Sequence, residues 1–111
     1  MPKFLFLVFT RPVEGQEAEY NRWYTEEHLD DVLKAEGFTA AQRFRITPHK
    51  DAPPGMLPPY MAIYEIEGDD PQAALADLSR RARTPLMPVS SALMEGAFQF
   101  IATPISERVT A

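Results

Sequence analysis

The residues best suited to chemistry crowd into one stretch, Asn21-Arg22-Trp23-Tyr24-Thr25-Glu26-Glu27-His28-Leu29, which holds the only tryptophan of the chain and one of its two histidines. Read as helix, Tyr20, Tyr24 and His28 form one row, because positions four apart are neighbours on a helix surface. His28 can exchange a proton near neutral pH, which makes it the candidate general acid or base. Tyr24, one turn earlier, or Asp31, three residues later, would fix its tautomer. The competing reading is a histidine that caps a helix end or bonds a backbone carbonyl. Trp23 and Tyr24 would form an aromatic wall suited to a flat substrate. They cannot both point straight inward, since adjacent residues differ by about 100° around a helix. Aromatics at helical spacing are otherwise simply core.

Further candidates lie on strands. Arg43 and Arg45 alternate onto one face and would clamp a carboxylate or enolate; the plainer reading is an edge strand that discourages aggregation. Tyr60 and Tyr64 share a face and would donate hydrogen bonds to a ligand oxygen, or pack as core tyrosines with satisfied hydroxyls. Glu27 and Asp31 have the spacing of two ligands on a helix, but Glu27 and His28 point about 100° apart. His49 sits in a proline-rich loop without a partner pattern, so no metal is expected. The chain has no cysteine, which excludes a thiolate nucleophile and disulfides. Neither a phosphate-binding glycine loop nor a nucleophile elbow is present. The chemistry left is proton transfer, or oxygen chemistry driven by the substrate itself, with no cofactor.

The 111 residues are expected to form a single domain over 1–111, with an ordinary 45% apolar content. A net charge of −5 argues against nucleic acid as a partner. Arg80, Arg81 and Arg83 read as a solvated helix terminus that favours the macrodipole. No window approaches a membrane span. Phe4 to Phe9 is too short for a signal peptide and lacks a cleavage site. The expectation is a cytoplasmic protein, consistent with the absence of cysteine.

The elements that must position these residues follow from patterning. Phe4 to Phe9 is a strand apolar on both faces. A helical pattern runs from about Gln16 toward Lys34, with a break expected near His28-Leu29, and Gly37 ends it as a C-cap glycine. Phe38 to Thr47 alternates, with Phe38, Ala40, Gln42, Phe44 and Ile46 on one side and Thr39, Ala41, Arg43 and Arg45 on the other. His49 to Pro59 is a proline-rich loop. Tyr60 to Glu67 is a third strand. Asp70 is the N-cap and Pro71 the first residue of a helix to about Arg83. Thr84 to Met94 reads as a loop, Ala97 to Thr103 as the last strand, and Pro104 to Ala111 as an added edge segment or an exchanged arm. The order β-α-β-β-α-β is the ferredoxin-like plan: a four-stranded antiparallel sheet with both helices on one face. Strands apolar on both faces then leave one sheet face bare, which a second copy in a homodimer would cover.

This order, together with Trp23-Tyr24-x-x-Glu27-His28-Leu29, Val32-Leu33, Gly37-Phe38 and Arg43-Phe44-Arg45, resembles the dimeric α+β barrel superfamily. Within it the chain looks most like the EthD-like and small polyketide-cyclase-like or monooxygenase-like branch. The resemblance implies a pocket between sheet and helices, with Trp23, Tyr24 and His28 delivered by the first helix. Relatives often have proline after the His-Leu pair, where this chain has Asp30. The superfamily spans isomerases, cyclases, cofactor-free oxygenases and haem-degrading enzymes. The haem-degrading branch uses an Asn, a Trp and a His on different elements, whereas Asn21, Trp23 and His28 share one helix, so haem is not carried over.

The expected function is an enzyme acting by proton transfer, as an isomerase, cyclase, dehydratase or cofactor-free oxygenase, on an aromatic, polyketide-like or lactone-like substrate. His28 and Tyr24 would be catalytic, with Trp23, Tyr20, Arg43, Tyr60 and Tyr64 shaping the site. The alternatives are a binding or stress-response protein that holds a hydrophobic ligand without turnover, and a purely structural dimer.

Overall fold

The computed structural model describes residues 3–111; Met1 and Pro2, at the start of the expected domain, lie outside the described residues. Strands β1 (Lys3–Thr10), β2 (Phe38–Arg45), β3 (Tyr60–Glu67) and β4 (Phe98–Ala102) form one sheet in the order β2-β3-β1-β4. Every pairing is antiparallel. Helix α1 (Glu17–Trp23) passes through a π-helical turn (Tyr24–His28) into α2 (Leu29–Leu33), and α3 (Pro71–Arg81) follows β3. Counting the first two helices and their joint as one unit, this is the ferredoxin-like plan.

The period-two alternation of the strands sends Phe6, Val8 and Thr10 of β1 under the helices, opposite Tyr64, Ala62 and Tyr60 of β3. Apart from Thr10, which is buried but polar, these residues join Tyr20, Trp23, Tyr24, Val32 and Ala74 from the helices in one core. On the opposite face, Leu7 of β1 pairs with Ile63 and Phe100, and Phe9 pairs with Met61 and Phe98. That face stays open in the single chain, with Phe98 49% and Phe100 56% exposed.

One strand departs from the expected alternation. Phe38 pairs with Ile66 and Ala41 with Tyr64, and the ladder shifts register between Phe38 and Ala40. This bulge puts an extra residue on β2, so Phe38 turns into the core on the same side as Ala41 and Arg43. The preceding Gly37 has φ +91°, and a Cβ there would lie 3.3 Å from Cβ of Ala74. Helix α2 already ends at Leu33 with Lys34 as its cap, so Gly37 is not the helix cap that the sequence suggested; it permits the left-handed turn into β2 and the close approach of α3.

Asp70 caps α3 by accepting from the Ala73 amide at 3.2 Å, with Pro71 in the first turn. The helix stops at Arg81, two residues before the expected end. Ala82 is already extended and Arg83 takes φ +62°, which turns the chain back so that Ala82 bridges to Met87. Residues 103–111 add no strand to the sheet, and Ile105 and Val109 are almost fully exposed. Among the described residues, no helix is long and apolar enough to cross a membrane.

Candidate functional site

The joint between α1 and α2 sets the geometry of the aromatic stretch. The Leu29 amide donates to the Tyr24 carbonyl, five residues back, in the wider π-helical pattern. No proline or glycine breaks the run Thr25-Glu26-Glu27, so the helix absorbs an extra residue and continues. Widening the turn brings positions five apart onto one face. His28 consequently stacks on Trp23, with ring centroids 4.6 Å apart and planes 28° apart. It also meets the edge of Tyr24 at 4.9 Å, and Tyr24 meets Tyr20 at 5.7 Å, so the row of three remains in contact.

A cavity of about 390 Å³ opens between the sheet and the helices. Its floor is the helix-facing side of β1 and its neighbours, with Phe6, Val8, Thr10, Tyr64 and Gln99. Tyr24, His28, Val32 and Leu78 line it from the helices. The segment from Ala82 to Ala97 forms the outer wall, through Arg83, Met87, Val89, Leu93, Met94 and Glu95. The volume lies within the usual range for small-molecule sites, and the lining is the expected mixture of apolar wall and a few polar groups.

The polar atoms of the lining residues are not all matched. Nδ1 of His28 is buried and has no hydrogen-bond partner among the described residues. Burial pushes the imidazole pKa down from 6.5 to about 4, opposed in part by the nearby Asp31 carboxylate. The ring is therefore neutral at physiological pH. The Tyr64 hydroxyl donates to the Tyr24 hydroxyl at 3.3 Å. Burial pushes Tyr24 up to about 12 and raises Tyr64 well above its ordinary value. Both phenols stay protonated near neutrality and can act as donors.

The neighbouring aromatic cluster is polar but saturated. Arg43 donates to Asn21 Oδ1 at 2.8 Å and to Thr25 Oγ1 at 2.9 Å. Its guanidinium lies over the rings of Tyr24, Tyr20 and Tyr60 at 4.6, 5.2 and 5.3 Å. The Tyr60 hydroxyl donates to Glu17 and accepts from Asn21 Nδ2, and the Tyr20 hydroxyl is bonded to Thr10. These contacts tie β2 and β3 to α1.

Of the residues singled out in the sequence, the structure brings His28, Tyr24 and Tyr64 together on the cavity. Tyr20, Tyr60, Arg43 and Trp23 lie outside its lining: the first three form the saturated cluster, and Trp23 supports His28 from behind. Glu27 is paired with Arg22 at 2.7 Å and Asp31 with Lys34 at 3.5 Å. The described residues contain no group of three or more potential metal ligands. Sequence reasoning missed the outer wall. Its signal was the length of Thr84 to Met94, a long connection that still carries Leu86, Met87, Val89, Leu93 and Met94. Long loops in small domains commonly cover sites.

No family model matches the chain, and no curated protein matches it. Solved structures do. A heme-degrader from Mycobacterium tuberculosis, MhuD, with two hemes bound in its active site, superposes with TM-score 0.60 at 16% identity, over 96% of this chain and 99% of that one. A dabb family protein with a ferredoxin-like fold from Mesorhizobium loti gives TM-score 0.60 at 14% identity, covering 96% and 100%. An uncharacterized NIPSNAP domain protein from Burkholderia xenovorans gives 0.58 at 14% identity, covering 97% and 99%. These likenesses concern the fold: over almost its whole length the chain has a ferredoxin-like architecture.

Proposed function

We propose that this chain is a small α+β barrel enzyme that moves a proton on an aromatic, polyketide-like or lactone-like substrate held in the cavity. The observation that carries the reading is the buried, unpartnered Nδ1 of His28 beside that cavity. A buried polar atom without a partner is costly, and such atoms are retained where a ligand or a reaction uses them. In this reading the substrate's acidic C–H or O–H gives its proton to the neutral His28 imidazole. The Tyr24 hydroxyl, which accepts from Tyr64, keeps its own proton to donate to the oxygen that gains charge. The low basicity of His28 belongs to the ligand-free cavity. An anion formed within ~4–6 Å would favour the imidazolium and raise the pKa. Trp23 holds the imidazole in place by stacking, and the Arg43 guanidinium lies over the Tyr24 ring. Isomerisation, cyclisation and dehydration all begin with such a step, and so does oxygenation through a substrate carbanion.

Haem, which MhuD binds, fits these residues poorly. A metal-bound histidine almost always donates its second ring N–H to a carboxylate or carbonyl, and His28 Nδ1 has no such partner among the described residues. The competing reading, a hydrophobic-ligand binder without turnover, is favoured by the apolar lining of Val8, Val32, Leu78, Met87 and Val89. In either case the open sheet face, with Phe98, Phe100 and part-exposed Phe44, supports assembly as a homodimer through that face.

The test is hydrogen–deuterium exchange at the acidic carbon of an aromatic 1,3-diketone, benzoylacetone, in D₂O. Accelerated exchange that disappears in a folded His28→Ala variant supports the enzyme. Benzoylacetone binding with no acceleration supports the binder and overturns proton transfer.

A further inference from the structure

Arg83 is the only described non-glycine residue with positive φ, at +62°. It follows the last residues of α3, at the place where helices normally put glycine or asparagine. The turn itself makes no use of an arginine side chain. It is held by the backbone bond from the Arg83 amide to the Met87 carbonyl at 3.0 Å and from the Met87 amide to the Thr84 carbonyl at 2.9 Å. A glycine would make the same bonds without the crowding of a Cβ. Stability does not explain the side chain either. Its one ion pair among the described residues, to Glu95 at 2.9 Å, joins side chains that are 59% and 84% exposed, and such pairs contribute little. Arg80 and Arg81, by contrast, both pair with Asp77 on their own helix.

What sets Arg83 apart is its position on the cavity. Arg83 and Glu95 both line it from the outer wall, and among the lining residues they are the only guanidinium and the only carboxylate side chain. A strained residue that neither its turn nor its ion pair requires points to a role in the site. We propose that Arg83 is a specificity-determining residue that binds a carboxylate on the ligand, taking it in exchange for Glu95. The substrate class is then an aromatic or polyketide-like acid, with its planar apolar body against Phe6, Tyr24 and Val32 and its carboxylate at the outer wall. The guanidinium fork matches a carboxylate in two parallel hydrogen bonds, which the single contact to Glu95 leaves room for. This assignment rests on the cavity being the ligand site.

The experiment compares 2-naphthoate with 2-naphthol, measured by calorimetry or NMR titration on the full chain. Arg83→Gly keeps the left-handed turn and is expected to fold with an equal or higher melting temperature. It should weaken naphthoate about tenfold or more, while naphthol changes less than about twofold. Glu95→Gln frees the arginine and should tighten naphthoate several-fold. If the natural sequence binds both probes and Arg83→Gly lowers them equally, or changes neither, the arginine assignment is overturned while the cavity stands. If the natural sequence binds neither probe, the assignment and the cavity reading fall together.

Discussion

Two aromatic regions meet at the Tyr24 ring, and they treat their polar atoms in opposite ways. In the cluster of Tyr20, Tyr60, Arg43, Asn21 and Glu17, the polar groups are bonded to one another or, for Tyr20, to Thr10, and the guanidinium is surrounded by rings. Around His28, Tyr24 and Tyr64, a buried nitrogen lacks a partner among the described residues, the two hydroxyls share one long bond, and all three residues line the cavity. The residue types are nearly the same. The difference shows that aromatic and titratable composition does not mark a site by itself. An incomplete set of hydrogen bonds among residues that line a cavity is what separates the two regions.

The comparison can be broken most severely at His28. Replacing it with leucine, which removes the imidazole and keeps apolar volume, should lower benzoylacetone exchange about 10²–10⁴-fold. Stability should stay level or rise in urea denaturation, because a buried nitrogen with no partner among the described residues is lost. A fall in stability as large as the fall in exchange would mean the histidine is structural.

The second effect is on pH. His28 titrates near 4 in the folded chain against about 6.5 when exposed, so the unfolded chain binds its proton first as pH falls. The unfolded state holds more protons through that window, and stability must therefore increase with pH across it. The contribution is complete above about pH 6.5 and gone below about pH 4. Its size is on the order of 3 kcal/mol. His28→Leu should flatten this part of the stability–pH curve, which parallel denaturation series would show.

In the saturated cluster, Arg43→Met keeps the stem and removes the hydrogen bonds to Asn21 and Thr25 and the charge over three rings. A loss of about 2–3 kcal/mol is expected, with naphthol affinity per folded molecule changed little. Equal loss of affinity and stability would erase the distinction between the two regions. The smallest effect belongs to Tyr64→Phe, which deletes one long hydrogen bond at 3.3 Å. Stability should move by less than about 1 kcal/mol, and exchange should slow measurably through Tyr24.

Much of this was legible in the sequence because it depends on local pattern. Strand alternation, the Asp70-Pro71 helix start and the Gly37 turn each rest on one or a few residues, and they were enough for the ferredoxin-like order. The four-residue spacing likewise put Tyr20, Tyr24 and His28 in one row. What escaped depends on tertiary context. The π-helical turn has no glycine or proline to announce it, and only the wider turn stacks Trp23 on His28. The bulge after Phe38 reverses the face of that residue without altering the alternation seen in the sequence. Arg43, Tyr60 and Tyr64 are equivalent by pattern, and only three-dimensional pairing separates Tyr64 on the cavity from the other two in the saturated cluster. The outer wall from Ala82 to Ala97 is irregular backbone held by isolated bridges at Ala82–Met87 and Pro12–Leu93, which no periodicity encodes.

The most direct measurement is an NMR titration of the ¹⁵N-labelled imidazole of His28 and the ring resonances of the four tyrosines with 2-naphthol. The expected result is saturable movement of His28, Tyr24 and Tyr64, with Tyr20 and Tyr60 nearly still. Movement confined to Tyr20 and Tyr60, or none at His28 while the ligand binds elsewhere, would contradict the assignment of the site.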